Sequence, residues 1–176
     1  AAALEEKVVT ANDHFYCSGA YKVADRIIHC WRRQGHGSEN FVDGLKNSCN
    51  PVFMQVAERL GPEKFYKYFE AFGFTQKTGV DLPGEENGIY HTLEELGQVE
   101  LAVSSFGQTF KVTPLQLITA VSAVANGGKL MQPHIVKSII AADGTVEKTV
   151  EPVVKRQVIS EETSKELCGM LEQVVS

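Results

Sequence analysis

The chain has 176 residues, 43% hydrophobic and 22% charged, with a formal net charge of -5. This composition suits one globular domain with its own core, and the negative balance, with no basic run to offset it, argues against a nucleic-acid partner. No apolar stretch is long enough to cross a bilayer and no signal peptide is evident. The four cysteines (Cys17, Cys30, Cys49, Cys168) are too sparse for a disulfide scaffold and are not spaced like a zinc ribbon.

Ala1–Val9 reads as the tail of a helix already under way, without an N-cap. Residues 172–176 stop inside an apolar helical pattern, without a C-cap. Both ends suggest a piece of a longer protein. Phe15–Val23 and Arg26–Trp31 read as two strands of a hairpin turning near Ala24-Asp25. Cys17 and Cys30 lie nearly symmetrically about that turn, which leaves three readings open. They are two small apolar residues, the plainest of the three, or a cross-strand disulfide outside the cytoplasm. The third is a metal site of Cys17, His29, Cys30 and His36, against which the lack of tight ligand pairs counts. No cofactor is expected.

After a polar loop around Gly35-His36-Gly37, Ser38 is placed to cap a helix from Glu39 to Asn47. Asn50 is a good N-cap for the next helix, and Pro51 sits where a missing N–H costs nothing. Val52, Phe53, Val56, Ala57 and Leu60 recur at helical spacing, and Gly61 ends the run. Ser48 therefore lies just outside the positive end of a helix, with Asn50 two residues on. A rigid Ser-x-Asn there can pass protons and orient an amide; it can equally be a plain capped turn.

Pro62 opens another helix, with Phe65, Tyr68, Phe69 and Phe72 on one face as core and Gly73 at its end. Residues 74–92 are turn-rich, and Thr92 with Glu95 forms a capping box. Ala102–Phe110 reads as a loop. Thr113-Pro114-Leu115-Gln116 is a stronger helix start, and the helix to Ala125 is apolar on nearly all sides, which predicts deep burial. A second hairpin is expected around Asp143-Gly144. Ser160 then caps a final helix with Leu167, Met170, Leu171, Val174 and Val175 inward.

Three stretches carry a resemblance: Leu45–Phe53, Thr78–Glu85, and Thr113–Leu117 running on through Ala125–Gly128. Together, in this order and over nearly the whole chain, they resemble the transpeptidase domain of class B penicillin-binding proteins, especially its sporulation-type members. The resemblance implies an α/β penicillin-binding transpeptidase or serine β-lactamase-like fold, here mostly its helical part with two β-hairpins. In that family Ser-x-x-Lys, Ser-x-Asn and Lys-Thr-Gly meet in one cleft. The resemblance implies that Ser48 and Asn50 are the middle motif, the hydroxyl relaying protons between the two motif lysines and the amide touching the substrate. No Ser in the chain has Lys three residues later. The nucleophilic motif is thus expected before residue 1, and the functional Lys-Thr-Gly beyond residue 176. Lys77-Thr78-Gly79 then reads as a decoy, because it follows a helix and enters a turn. Gly107-Gln108-Thr109 resembles a family Gly-Gln-Gly loop, with Thr109 where a positive φ would favour glycine.

The implied parent is a membrane-anchored, extracytoplasmic D,D-transpeptidase that cross-links peptidoglycan stem peptides in sporulation or cell division. It binds β-lactams and works beside a membrane glycosyltransferase. The chain alone is expected to be inactive and prone to self-association. The competing readings are a β-lactam-sensing or β-lactam-hydrolysing relative of the same fold, and a non-catalytic binding or structural module.

Overall fold

The computed structural model describes residues 1–175. In chain order the elements are α1 (Ala2–Glu5), β1 (His14–Cys17), β2 (Ala20–Val23), β3 (Arg26–His29), β4 (Gly37–Asn40), α2 (Phe41–Lys46), α3 (Asn50–Leu60) and α4 (Pro62–Ala71). A 3-10 turn (Leu93–Glu95) precedes α5 (Gln98–Ser104) and α6 (Pro114–Ala125). β5 (Lys129–Met131), β6 (Ser138–Ile140), β7 (Val146–Thr149), β8 (Val154–Gln157) and α7 (Glu161–Val175) complete the fold.

The strands form antiparallel pairs. Both expected hairpins are present, β2–β3 about Ala24-Asp25 and β6–β7 about Asp143-Gly144. Two further pairs, β1–β4 and β5–β8, join residues distant in sequence. The first hairpin is shorter than expected, because the chain turns sharply at Ser18-Gly19. Gly19 has φ +94°, and a Cβ there would stand 2.0 Å from the Arg33 carbonyl oxygen. Only glycine fits such an approach. The residues before it are thereby released to pair with β4, with Cys17 opposite Gly37 and Phe15 opposite Glu39.

That pairing overturns the expected Ser38 cap. Ser38 is extended in β4, and Asn40 starts α2 instead, its side-chain oxygen accepting from the Asp43 N–H at 2.8 Å. The expected loop at Ala102–Phe110 begins later than predicted, because Leu101 and Ala102 bury their side chains from α5.

α3 is held from two sides. Val52 packs into a cluster with Phe15, Phe41, Leu167 and Met170, while Met54 packs on Val23 and Ala102; both are fully buried. Burying each such side chain is worth about 2 kcal/mol, so the start of α3 is a rigid platform. A second core under α4 holds Tyr68, Phe72, Ala123, Leu130 and Ile159. Phe65 and Phe69 are half-buried and border an apolar cavity of 290 Å³ with Phe53 and Phe110.

Two burial expectations fail. On α6, Leu117, Ile118 and Val121 are 51%, 57% and 52% exposed, because only the Gln116–Ala120–Ala123 face is covered. On α7, Leu167 and Met170 are buried but Leu171, Val174 and Val175 face outward. The Thr113–Gln116 capping box forms as expected: the Gln116 N–H donates to Thr113 Oγ1 at 3.1 Å, and the Thr113 N–H donates to Gln116 Oε1 at 2.9 Å. Among the described residues no helix is long and apolar enough to cross a membrane.

Candidate active site

Ser48 occupies the junction between α2 and α3. α2 ends in a double-bonded cap: the Ser48 N–H donates to the Leu45 carbonyl (3.1 Å) and the Cys49 N–H to the Gly44 carbonyl (2.9 Å). This is the Schellman arrangement, whose αL position is normally glycine. Here Ser48 fills it, with φ +48°. The side chain that results is exposed, at the mouth of α3. A non-glycine αL residue costs about 1 kcal/mol or more and persists only where its surroundings over-determine it.

Asn50 was expected to cap α3, and it does not. Cys49, with extended backbone, takes the N-cap position, and Asn50 is the first helical residue. Its amide is free for another partner and donates to the His29 carbonyl at 3.2 Å. Pro51 follows in the first helical turn, as read. The exposed Ser48 hydroxyl and half-buried Asn50 amide thus flank one helix start, whose unpaired N–H groups favour negative charge nearby.

Sequence reasoning passed over Trp31, Glu39 and the role of Asn47. The Trp31 indole N–H donates to the Asn47 carbonyl at 3.0 Å. Asn47 Nδ2 donates to Oε1 of buried Glu39 at 2.6 Å. Glu39 Oε2 has no hydrogen-bond partner among the described residues and lies 3.9 Å from His36 Nδ1. Nothing local marks Glu39 for this role, which exists only because β4 pairs with β1.

The cysteine expectations need correction. Cys17 and Cys30 do not face each other across a hairpin, since Cys17 lies in the β1–β4 pair and Cys30 follows β3; all four thiols are free. The fold nevertheless brings Cys17, Cys30 and His36 together, with Cys49 in place of the exposed His29. Their donor atoms all lie within 4.8 Å of one another. Three thiols and one imidazole are a donor set that suits zinc and similar soft cations. Burial pushes the Cys49 thiol pKa far up, reinforced by neighbouring Glu39 and Cys17 and opposed by the Val52 N–H. Cys49 is the middle residue of Ser48-x-Asn50, so this cluster abuts the motif directly.

Lys77-Thr78-Gly79 lies in no strand. Its donors close on Glu85: Thr78 N–H and Oγ1 donate to Oε1 at 2.6 and 2.5 Å, and the Gly79 N–H donates to Oε2 at 3.0 Å. Partial desolvation raises the Glu85 pKa, but these bonds outweigh it and hold the carboxyl below its usual range. The carbonyls of Thr78 and Gly79 are held from elsewhere in the fold, by Lys155 Nζ at 3.1 Å and Gln132 Nε2 at 2.8 Å respectively, so the segment is a structural turn. Thr109 does adopt φ +66°, with its hydroxyl 3.2 Å from Ser104 Oγ. Neither Ser48 nor Asn50 lines the apolar cavity under α4, or the cleft of 270 Å³ between Asp81 and the β6–β7 hairpin.

Comparison with known proteins gives the class to which this fold belongs. The penicillin binding protein transpeptidase domain matches residues 1–176. The chain belongs to that family. It is 50% identical over its whole length to stage V sporulation protein D of Bacillus subtilis, of which it spans 28%. The D,D-transpeptidase domain of a peptidoglycan glycosyltransferase from Eggerthella lenta superposes with TM-score 0.88 at 25% identity, covering 99% of this chain and 45% of that one. Penicillin binding protein 3 from Mycobacterium tuberculosis, solved with aztreonam, gives TM-score 0.87 at 27% identity, covering 99% of this chain and 39% of that one.

Proposed function

We propose that residues 1–176 are the middle part of a transpeptidase domain whose parent joins peptidoglycan stem peptides through an acyl-enzyme, in sporulation or cell division. In this reading the parent supplies the Ser-x-x-Lys nucleophile before residue 1 and the Lys-Thr-Gly strand after residue 176. Ser48 relays protons between the two motif lysines, so that the leaving amine receives one, and the Asn50 amide steadies the substrate peptide. β-Lactams mimic the donor peptide and stay attached to the nucleophile. The observation that carries the reading is the αL serine: a position that favours glycine holds a residue whose exposed hydroxyl stands two residues from an amide at a helix mouth.

The parent is read as anchored by a transmembrane helix outside this chain, acting on the extracytoplasmic face beside a membrane glycosyltransferase. The exposed Leu117–Ile118–Val121 face of α6 supports self-association of the isolated chain. Labelling with a fluorescent penicillin tests the proposal. The full-length parent labels, the isolated chain does not, and Ser48→Ala in the parent slows labelling by about a hundredfold or more. Labelling of the isolated chain, or normal labelling of the Ser48→Ala parent, refutes it.

A further inference from the structure

We infer that Trp31 and Glu39 are positioning residues that hold the Ser48 hydroxyl in its working orientation by fixing the peptide group joining Asn47 to Ser48. The inference rests on the reading of Ser48 as a proton relay. The direction of the Ser48 side chain is set by the plane of that peptide, and the plane is gripped at both ends. Its N–H donates to the Leu45 carbonyl at 3.1 Å, and its carbonyl accepts the Trp31 indole N–H at 3.0 Å. The Asn47 side chain is tied separately, by 2.6 Å to the Glu39 carboxylate. Glu39 is 4% exposed, so this bond is shielded from competing water.

These contacts supply what an αL serine requires. The helix-ending bonds alone would suit a glycine. A side chain at φ +48° needs further restraint, or the turn relaxes towards a less strained backbone and the hydroxyl swings away. Trp31 adds that restraint from 16 residues away and Glu39 from 8. Trp31 is 64% exposed, so little of its ring is retained for burial. Its polar edge is what the fold uses, while the ring meets His36 edge-on at 5.3 Å. The same segment reaches the motif a second time, where the His29 carbonyl accepts from Asn50. Residues 29–31 thus form a ledge touching both sides of Cys49.

The test uses the full-length parent with a fluorescent penicillin, separating apparent Kd from the acylation rate constant. Trp31→Phe keeps a ring but loses the N–H donor, and Glu39→Leu removes the acceptor of the Asn47 bond. Each is expected to slow acylation about tenfold, with apparent Kd changed less than about twofold. Because both act through Asn47, the double variant should be slowed little more than either single one. Ile27→Ala, on the exposed face of the same hairpin, should acylate at the parental rate. Trp31 is mostly exposed, so its variant is expected to fold even where Glu39→Leu is unstable. Parental rates in Trp31→Phe overturn the inference, as do losses that multiply in the double variant or an effect confined to a rise in apparent Kd. Normal acylation by Ser48→Ala is a separate result: it removes the relay reading itself.

Discussion

A Cβ on Gly44 would stand 2.6 Å from Cγ1 of Val52. α2 and α3 therefore meet backbone against side chain, one turn from Ser48, and Val52 is too deeply buried to move aside. Gly44→Ala is expected to destabilise the protein by about 1–3 kcal/mol through overpacking. The same change, by prying α2 from α3, should slow penicillin acylation of the full-length parent. Thermal unfolding and labelling kinetics on one preparation check both; an unchanged melting temperature refutes the close approach.

Glu6, just beyond α1, binds α4 through Lys67 (2.9 Å), Lys64 (3.0 Å) and the Tyr68 hydroxyl (2.9 Å). The Lys67 bond, then those from Lys64 and Tyr68, lower its pKa from 4.5 to about 2. A carboxyl depressed on folding stabilises the protein above its unfolded pKa and loses that stabilisation as pH falls through the folded value. Melting temperature should thus decline between about pH 4.5 and pH 2. Glu6→Gln should melt lower than the unaltered protein at pH 6, with the difference closing near pH 2. A constant difference across that window refutes the role given to Glu6.

Thr109 holds φ +66°, a conformation that disfavours a β-branched residue. Thr109→Gly removes about 1–3 kcal/mol of backbone strain, against roughly 0.5–1 kcal/mol of added chain entropy and the lost Ser104 contact. The net expectation is a modest rise in melting temperature. A fall indicates that the Ser104–Thr109 contact outweighs the strain.

Cys49 is fully buried with its thiol pKa pushed up, whereas Cys168 is partly exposed. In metal-free buffer, iodoacetamide should modify Cys168 at least about tenfold faster than Cys49, since the thiolate is the nucleophile. Mass-spectrometric mapping reads the order directly. Equal rates require that the α2–α3 junction opens readily.

The exposed face of α6 yields a fifth test. Leu117→Lys with Val121→Lys should reduce association of the isolated chain in sedimentation without lowering its melting temperature, because both positions are already solvent-facing. Unchanged association of the double variant refutes the role given to this face.

Local chemistry made much of this protein legible in its sequence. Asn-Pro and Thr-Pro-Leu-Gln announced the starts of α3 and α6, Gly61 and Gly73 the ends of α3 and α4, and Asp143-Gly144 a hairpin, because caps and tight turns are settled by residues a few positions apart. The Ser48-x-Asn50 spacing was visible for the same reason. Long-range pairing decided the rest. The close approach at Gly19 redirected β1 to β4, turned Ser38 from a cap into a strand residue, and drew three cysteines and His36 around one point. It also set Glu39 under Asn47, while Trp31 reached the same turn from beyond β3. Which apolar face of α6 or α7 is covered depended equally on neighbours that periodicity does not name. Short-range hydrogen bonding, including the bonds that end α2 at Ser48, is written into adjacent residues, but the Trp31 and Glu39 contacts to Asn47 exist only once the tertiary fold has formed.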